Sequence, residues 1–193
     1  MVIRFSRKKN IYPEFSNFHN STFEYNGITY NSAEAAFHAQ KTLDEQKRLE
    51  FVNLTPSEAK AKGRLIELRP DWEQVKFGIM CDIQVAKFSQ NDDLKLKLLS
   101  TGDCYIMEDT TSWHDNVWGA CLCNRCTNKR KSYNKLGIAI MHARGKISGK
   151  PPVCRFDLND TELSIDFSDP VIMQWLDTED GRTVIDSINK KGK

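Results

Sequence analysis

Three side chains with catalytic potential recur at helical spacing near the start of the chain: Glu34, His38 and Lys41. Positions i, i+4 and i+7 share one face of an α-helix, so a carboxyl group, an imidazole and an amine would converge. A glutamate can protonate a leaving group or activate water, and a partly desolvated lysine can attack a carbonyl carbon as a Schiff-base nucleophile. The same pattern is also typical of a solvated, charged helix face, and periodicity alone does not choose between these interpretations.

A second group with chemical potential is the C-x-C-x-x-C cluster of Cys121, Cys123 and Cys126. Three thiolates this close could supply three ligands of a tetrahedral zinc ion. The fourth ligand would then be one of Cys104, Cys154, His114 and His142. A second C-x-x-C pair is absent, and thiols without metal are the default in a reducing compartment, so we expect no metal here.

Trp72, Trp113 and Trp118 could stack on a base or a nicotinamide-like ring, although each could equally belong to the core. The sequence has no Walker loop and no G-x-G-x-x-G, G-x-S-x-G or H-E-x-x-H motif. The common nucleotide-kinase, dinucleotide-binding, serine-hydrolase and zinc-protease classes are therefore excluded.

The elements that must position these residues follow from local patterns. Ile3 and Phe5 begin a short strand, and residues 23–30 alternate around Asn26-Gly27, as in a type I′ hairpin. Ser32 is a suitable N-cap for a helix over 33–43. Further helices are predicted over 45–52, 56–62, 72–89 (capped by Asp71), 92–99 and 133–146, with strands at 104–107 and 117–118; a hairpin over 155–167 and helices over 169–176 and 183–188 follow.

These elements predict an α+β fold, a mostly helical single domain with a small antiparallel or mixed sheet. The length of 193 residues suits one domain of this kind. No apolar run approaches the length of a membrane span, and the first residues lack the apolar segment of a secretory signal. We therefore expect a cytoplasmic protein that does not contact a membrane.

The net charge of +2 conceals a strong segregation along the chain. Residues 1–115 carry 15 basic and 17 acidic side chains, whereas residues 116–156 contain nine basic and no acidic ones. Residues 157–181 reverse this pattern, with eight acidic and no basic side chains. The basic stretch could attract phosphates, or the two stretches could simply fold against each other.

Taken together, the motifs resemble those of the NADAR (YbiA-like) family. The family's opening pattern is matched by EFSNF (14–18), the hairpin FEYNGITY (23–30) and SAEAAFHAQK (32–41). The ordered blocks continue through AKGR (61–64), RPDWEQVK (69–76), KFSQN (87–91), LLSTGD (98–103), EDT (108–110), WG (118–119), NKLG (134–137) and MHAR (141–144). The resemblance implies a catalytic domain over 1–149. Residues 150–193 lie outside the resemblance, and we expect them to form an acidic C-terminal extension packed on the same domain.

The resemblance implies an enzyme that hydrolyses N-glycosidic bonds. Members are associated with removing ADP-ribose from guanine in nucleic acid and with cleaving phosphorylated riboflavin-pathway intermediates. The family's catalytic Glu and Lys fall on Glu34 and Lys41, and no metal or other cofactor is implied. The substrate-binding positions implied are Asn17, Phe18, His38, Arg64, Trp72, Trp118, Gly119 and Asn134.

Two departures from the family pattern affect the expected site. Many members have an acidic residue directly after the W-G pair, where this chain has Ala120, so that role would be vacant or moved to Asp109 or Asp115. The short loop before the K-N-x-L-G block is replaced by CLCNRCTNKRKSY (121–133). By the family's order this loop should border the active site and meet phosphates through Arg125, Lys129, Arg130 and Lys131.

We therefore expect a monomeric hydrolase that releases ADP-ribose from the amino group of guanine in DNA, or in RNA. Such an activity would counter a DarT-type ADP-ribosyltransferase, as an antitoxin or counter-defence factor would. The alternatives are cleavage of a riboflavin-pathway aminopyrimidine ribose phosphate and a non-catalytic module that binds ADP-ribose or NAD. The intact pair of Glu34 and Lys41 argues against the non-catalytic module. The acidic extension is expected to pack near the basic segment or to guard it.

Overall fold

The structure, a computed structural model, describes residues 2–127 and 132–149 of the chain. Its strands are β1 (Val2–Phe5), β2 (Asn20–Tyr25), β3 (Ile28–Ser32) and β4 (Tyr105–Glu108). Its helices are α1 (Ala33–Ala39), α2 (Glu45–Leu49), α3 (Pro56–Gly63), α4 (Trp72–Ser89), α5 (Asp92–Ser100), α6 (Asn124–Thr127) and α7 (Lys135–Ser148), with a 3₁₀ turn at Pro13–Phe15. The predicted α+β class is confirmed. The elements predicted beyond residue 150, and the packing of the acidic extension, lie outside the described residues.

The strands form two separate pairs in the described part of the chain. β1 pairs with β4 in parallel, with Phe5 opposite Glu108, and β2 pairs with β3 as the antiparallel hairpin. Asn26 and Gly27 have φ values of 52° and 75°, as a type I′ turn requires, so the predicted hairpin is confirmed.

The predicted strand at 117–118 is wrong. Both backbone N–H groups of this segment are taken by a side chain, because Asp115 Oδ1 accepts from Val117 N at 2.8 Å and from Trp118 N at 3.0 Å. This Asx-type turn competes with strand pairing for the same donors. Pairing resumes only at Ala120, which forms an isolated bridge to Asp109.

The core lies where α1, α4, α7 and β4 meet. Residues 135–145 of α7 are all buried, and α4 contributes large side chains such as Phe77, Ile83 and Phe88. Gly137 permits the close approach of α7 to β4, since a Cβ at this position would lie 2.2 Å from the Ile106 carbonyl oxygen. Within the two described ranges, no helix is long and apolar enough to cross a bilayer.

Candidate active site

A cavity of about 700 Å³ opens between α1, α3, the start of α4, the end of β4 and the loop over 113–118. Its size is within the range of about 300–1,000 Å³ typical of small-molecule sites. The lining combines carboxylates, cations and aromatic rings: Arg7, Lys8, Ser16, Asn17, Phe18, Glu34, Phe37, His38, Lys41, Lys60, Arg64, Trp72, Lys76, Met80, Glu108, Trp113, Asp115, Trp118 and Leu136.

Glu34 lies in the first turn of α1, where the helix is held by two caps. Ser32 Oγ accepts from Ala35 N at 3.1 Å, as predicted, and the Asn17 carbonyl accepts from Glu34 N at 3.0 Å. The Glu34 side chain is buried, and its Oε1 lies 3.1 Å from His38 Nε2 and 3.4 Å from Lys60 Nζ. A carboxylate at a helix N-terminus is stabilised by the helix dipole. The carboxylate is therefore fixed in place on the cavity wall.

Lys41 reaches the same cavity, although not from the predicted helix face. α1 ends at Ala39, four residues earlier than expected, so Glu34 and His38 share the helix and Lys41 follows it. Lys41 Nζ donates to the Gly63 carbonyl at 2.7 Å and lies 6.0 Å from the centre of the Trp72 ring. Burial lowers the pKa of the Lys41 amine from its ordinary value, against the attraction of Glu34 and together with nearby cations, chiefly Arg64.

Gly63 joins α3 to this part of the site. A Cβ at this position would lie 2.1 Å from His38 Nδ1, so the imidazole packs directly on the glycine backbone. His38 Nδ1 is buried and has no hydrogen-bond partner in the described part of the chain. The imidazole is therefore oriented by steric fit on one side and by Glu34 on the other.

Glu108 lines the cavity, although it is not among the site residues predicted from the sequence. It is half-buried and is the last residue of β4. Burial raises the pKa of the Glu108 carboxyl to about 8, with smaller contributions from the negative charges of Asp115 and Glu34. A carboxyl group that keeps its proton near neutral pH can serve as a general acid. The available signal was its position at the carboxyl end of a predicted strand.

Asn134, predicted to bind substrate, lies outside the cavity lining. Asn134 is fully buried, and its Nδ2 donates to Tyr105 Oη at 2.8 Å and to the Ile106 carbonyl at 2.9 Å. Its Oδ1 accepts from Glu108 N at 3.1 Å. Asn134 therefore fastens the start of α7 to β4 and fixes the backbone of Glu108.

Gly119, also predicted to bind substrate, is likewise outside the cavity lining. A Cβ there would lie 2.2 Å from Thr110 Cγ2 and 2.8 Å from the Glu108 carbonyl oxygen. The absence of a side chain lets the next residue pair with β4, since Ala120 N donates to the Glu108 carbonyl at 2.8 Å. The W-G and K-N-x-L-G blocks therefore converge on the backbone of Glu108.

The segment that carries Asn17 and Phe18 is fixed by hydrogen bonds from a buried lysine on α4. Lys87 Nζ donates to the Glu14 and Ser16 carbonyls at 2.8 Å and 3.0 Å. Burial lowers the pKa of this amine to about 7. Asn17 Oδ1 accepts from Gln84 Nε2 at 2.8 Å, which fixes the amide at the cavity edge.

Aromatic rings form two parts of the cavity wall. The Phe37 ring lies 5.0 Å from Trp72 and 5.2 Å from Trp118, so these residues pack as one group. Phe18 lies under the Arg7 guanidinium at 4.0 Å, and Trp113 lies 5.5 Å from Lys8 Nζ. Flat, apolar walls of this kind suit a base or another planar ring.

The cations of the cavity come from an unexpected part of the chain. Arg64 was predicted, but Arg7, Lys8, Lys60 and Lys76 also line the cavity. The predicted phosphate residue Arg125 is exposed on α6, outside the lining. The remaining predicted phosphate residues, at 129–131, lie outside the described residues.

The structure also separates the two acidic residues considered as replacements at the Ala120 position. Asp115 lines the cavity, whereas Asp109 pairs with Lys9 Nζ at 2.7 Å. Asp115 is held by the turn at 115–118, so its charge lies close to Glu108. Of the two candidate replacements, Asp115 is therefore the one that lines the cavity.

Residues 4–148 match the NADAR domain family, and the chain belongs to it. It is 33% identical over 150 residues to N-glycosidase YbiA of Escherichia coli, an alignment that covers 76% of this chain and 89% of the relative. N-glycosidase Npun_R5314 of Nostoc punctiforme is 31% identical over 153 residues, covering 76% and 93%. The NMR structure of E. coli YbiA is similar in fold, with a TM-score of 0.65 and 32% identity over 77% of this chain and 85% of that one.

Proposed function

We propose that the protein is an N-glycosidase that removes ADP-ribose from the amino group of guanine in nucleic acid. The observation that carries the proposal is the meeting of Glu34, Lys41 and Glu108 in one cavity walled by cations and aromatic rings. The relatives named N-glycosidase support the bond type. A role as antitoxin or counter-defence factor against a DNA-modifying transferase is the corresponding biological proposal.

The chemistry starts from an N,O-acetal carbon, because ribose C1 is bonded both to the ring oxygen and to the amino nitrogen of guanine. Protonation of the ring oxygen and loss of the proton on that nitrogen open the sugar and leave an imine between C1 and the nitrogen. The neutral Lys41 amine then adds to C1, the bond from C1 to the guanine nitrogen breaks, and the leaving amine takes a proton. Water finally adds to the enzyme-bound imine and releases ADP-ribose and the free lysine.

The cavity supplies each proton transfer in this route. The lowered pKa of Lys41 increases the neutral fraction of the nucleophile, and the raised pKa of Glu108 keeps a proton available for the leaving amine. Glu34, held between His38 and Lys60, moves protons during addition and hydrolysis. In the competing route Glu34 activates water against an oxocarbenium-like carbon and Lys41 only orients the sugar.

Borohydride reduction separates the two routes. Reduction during turnover should trap ADP-ribose on the enzyme as a stable secondary amine, and peptide mass spectrometry should locate it on Lys41. An active enzyme that gives no adduct would support the water route instead.

The charge of the cavity favours a substrate that carries phosphate. Arg7, Lys8, Lys60, Arg64 and Lys76 surround the site, and the aromatic groups around Phe18 and Phe37 suit planar rings. A diphosphate and an adenine satisfy both features. An aminopyrimidine ribose phosphate would use the same cations with a single phosphate, and it is the second candidate substrate.

The proposal is tested by offering both substrates to the full chain. An oligonucleotide that carries ADP-ribosylated guanine should release ADP-ribose, and the aminopyrimidine ribose phosphate should react much more slowly. Glu34→Gln should reduce the rate by about 10²–10⁴-fold, as for loss of a general acid or base. Glu45→Gln, on the exposed helix α2, is the matched control and should retain the wild-type rate. No release from the oligonucleotide would reject the proposed substrate, and rapid cleavage of the small molecule would select the second candidate.

A further inference from the structure

A cluster of four metal-ligating atoms lies beside the cavity but does not belong to it. We call it the Cys3His cluster, and its members are His114, Cys121, Cys123 and Cys126. Their ligand atoms all lie within 4.8 Å of one another. His114 is separated from the three cysteines by at least six residues of the chain, so the fold rather than local sequence brings it into place. This identifies which of the four candidate fourth ligands meets the C-x-C-x-x-C motif.

The spacing of these atoms matches tetrahedral coordination. With metal–sulfur and metal–nitrogen distances of about 2.3 and 2.05 Å, ideal tetrahedral angles give about 3.8 Å between two sulfurs and about 3.6 Å between sulfur and nitrogen. His114 Nδ1 lies 3.2 Å from Cys121 Sγ and 3.6 Å from both Cys123 Sγ and Cys126 Sγ. The Sγ atoms of Cys121 and Cys123 are 3.4 Å apart. These four distances lie within about half an ångström of the tetrahedral values, and the two remaining distances, from Cys126 Sγ to the other sulfurs, are within 4.8 Å.

The local backbone presents these ligands inward. Cys126 N donates to the Cys123 carbonyl at 2.9 Å, which forms the tight turn at the start of α6. His114 has a φ of 59°, a left-handed conformation that is uncommon outside glycine, and its Nδ1 lies within 3.6 Å of all three sulfurs. Cys121 and Cys126 are buried, so at least half of the coordination shell is shielded from solvent.

We propose that the Cys3His cluster binds one zinc ion as a structural site. Three thiolates and one imidazole are a ligand set typical of zinc, and four protein ligands leave no open position for catalysis. None of the four ligands is among the described residues that line the cavity, whereas Trp113 and Asp115, on either side of His114, both line it. The zinc ion would thus fasten the loop that forms one wall of the active site. This proposal differs from the expectation, drawn from the sequence, that the three thiols bind no metal.

The test measures metal in the full chain, purified under reducing conditions from zinc-supplemented medium. Wild-type protein should contain about one zinc per chain, and cobalt(II) should replace it and give the absorption of tetrahedral cobalt with thiolate-to-metal charge transfer. Cys123→Ser should weaken metal binding beyond the about 10–100-fold loss typical of outer-shell changes. Cys104→Ser, which alters a cysteine outside the cluster, is the matched control and should bind metal as wild type does.

A second measurement covers the case in which Cys123→Ser does not fold. Alkylation of wild-type protein, mapped by mass spectrometry, should spare the three cluster cysteines until a chelator is added, while the chelator should leave the reactivity of Cys104 unchanged. Wild-type protein without zinc and without the cobalt spectrum would overturn the proposal, as would alkylation that does not depend on the chelator. Metal content is measured independently of turnover. Failure of the zinc proposal can therefore be distinguished from failure of the proposed function.

Discussion

At the scale of single residues, the site depends on ionisable groups that the same cavity shifts in opposite directions. Burial raises the pKa of Glu108 to about 8 and lowers that of Lys41 from its ordinary value, so a carboxyl group that keeps its proton lies in the same cavity as an amine that loses its proton more readily than an exposed lysine. Such a pair of shifts is how one site provides acid and nucleophile together. Two consequences can be measured on Glu108, one in activity and one in stability.

Glu108→Gln should lower kcat by about 100-fold, because glutamine cannot donate the proton that the leaving amine requires. Wild-type activity should decline as the pH rises through about 8, where the Glu108 carboxyl ionises, and the variant should lose this decline. The pH dependence of kcat measures both effects. Glu45→Gln is again the control, and a wild-type alkaline limb retained in Glu108→Gln would show that another group causes it.

The same variant should be more stable than wild type at alkaline pH. The unfolded carboxyl ionises near pH 4.3, so above that pH the unfolded chain gives up a proton that the folded chain keeps up to about pH 8. Stability from this group is therefore complete below pH 4.3 and is lost as the pH rises through 8. Urea unfolding should show Glu108→Gln gaining several kcal/mol at pH 8, at about 1.4 kcal/mol for each unit between the two pKa values, and no gain at pH 4. An equal effect at both values would contradict the shifted pKa.

At the scale of elements, local signals in the sequence were sufficient for the hairpin and for the starts of several helices. The Asn26-Gly27 turn and the Ser32 cap follow from backbone chemistry within a few residues. Asp71 precedes α4 as expected, but its carboxylate pairs with Arg69 at 2.6 Å and does not cap the helix. Which of two nearby partners a side chain binds depends on the tertiary structure, and a local sequence pattern does not predict it.

Gly119 and Asn134, both predicted to bind substrate, lie outside the cavity lining and contact Glu108. Both residues belong to motif blocks, and a motif does not reveal whether a residue contacts the substrate or supports one that does. The contacts of both with Glu108 connect positions 11 and 26 residues apart in the chain. The contacts with Glu108 become apparent only from the packing of α7 and the 116–120 segment on β4.

Gly63→Ala tests the close packing of α3 on α1. The new Cβ would lie 2.1 Å from His38 Nδ1, so the imidazole or the helix must move. We expect a loss of about 1–3 kcal/mol in the free energy of unfolding. Gly78→Ala in α4, where nothing lies within 4 Å of the new Cβ, is the control and should gain up to about 1 kcal/mol. Equal responses of the two variants would contradict the packing described here.

Asn134 should act as a positioning residue for Glu108. Asn134 makes three hydrogen bonds with β4 and has a φ of 48°, so Asn134→Gly retains backbone freedom and removes only the contacts. The loss should be about 2–4 kcal/mol, at roughly 1 kcal/mol for each bond. The alkaline limb of kcat should also shift, while KM changes little. A raised KM with an unchanged pH profile would instead indicate direct substrate contact.

At the scale of the whole molecule, the distribution of charge differs from what the chain order suggests. Among the described residues, the cations that line the cavity come from residues 1–115, the segment with a small excess of acidic residues. Besides Lys41, folding places five of them at one opening: Arg7, Lys8, Lys60, Arg64 and Lys76. A positive active-site entrance therefore coexists with a net charge of only +2.

Binding to an oligonucleotide should accordingly depend on salt through the cavity cations. Lys8→Met should reduce the slope of log affinity against log salt by about 0.7, if Lys8 meets one phosphate of a single strand. Lys47→Met, on the exposed helix α2, should leave the slope unchanged. Fluorescence anisotropy at several salt concentrations measures both. Identical slopes for Lys8→Met and wild type would remove this cation from the nucleic-acid path.

The central claim, that the Glu34 and Lys41 cavity cleaves the bond between ADP-ribose and guanine, is tested most directly by one comparison. The rate of ADP-ribose release from an ADP-ribosylated guanine oligonucleotide should be measured for wild type, Lys41→Met and Lys47→Met. Wild type and Lys47→Met should release ADP-ribose at equal rates, and the rate of Lys41→Met should be at least about 100-fold lower. Release by Lys41→Met at the wild-type rate, or no release by wild type, would contradict the claim.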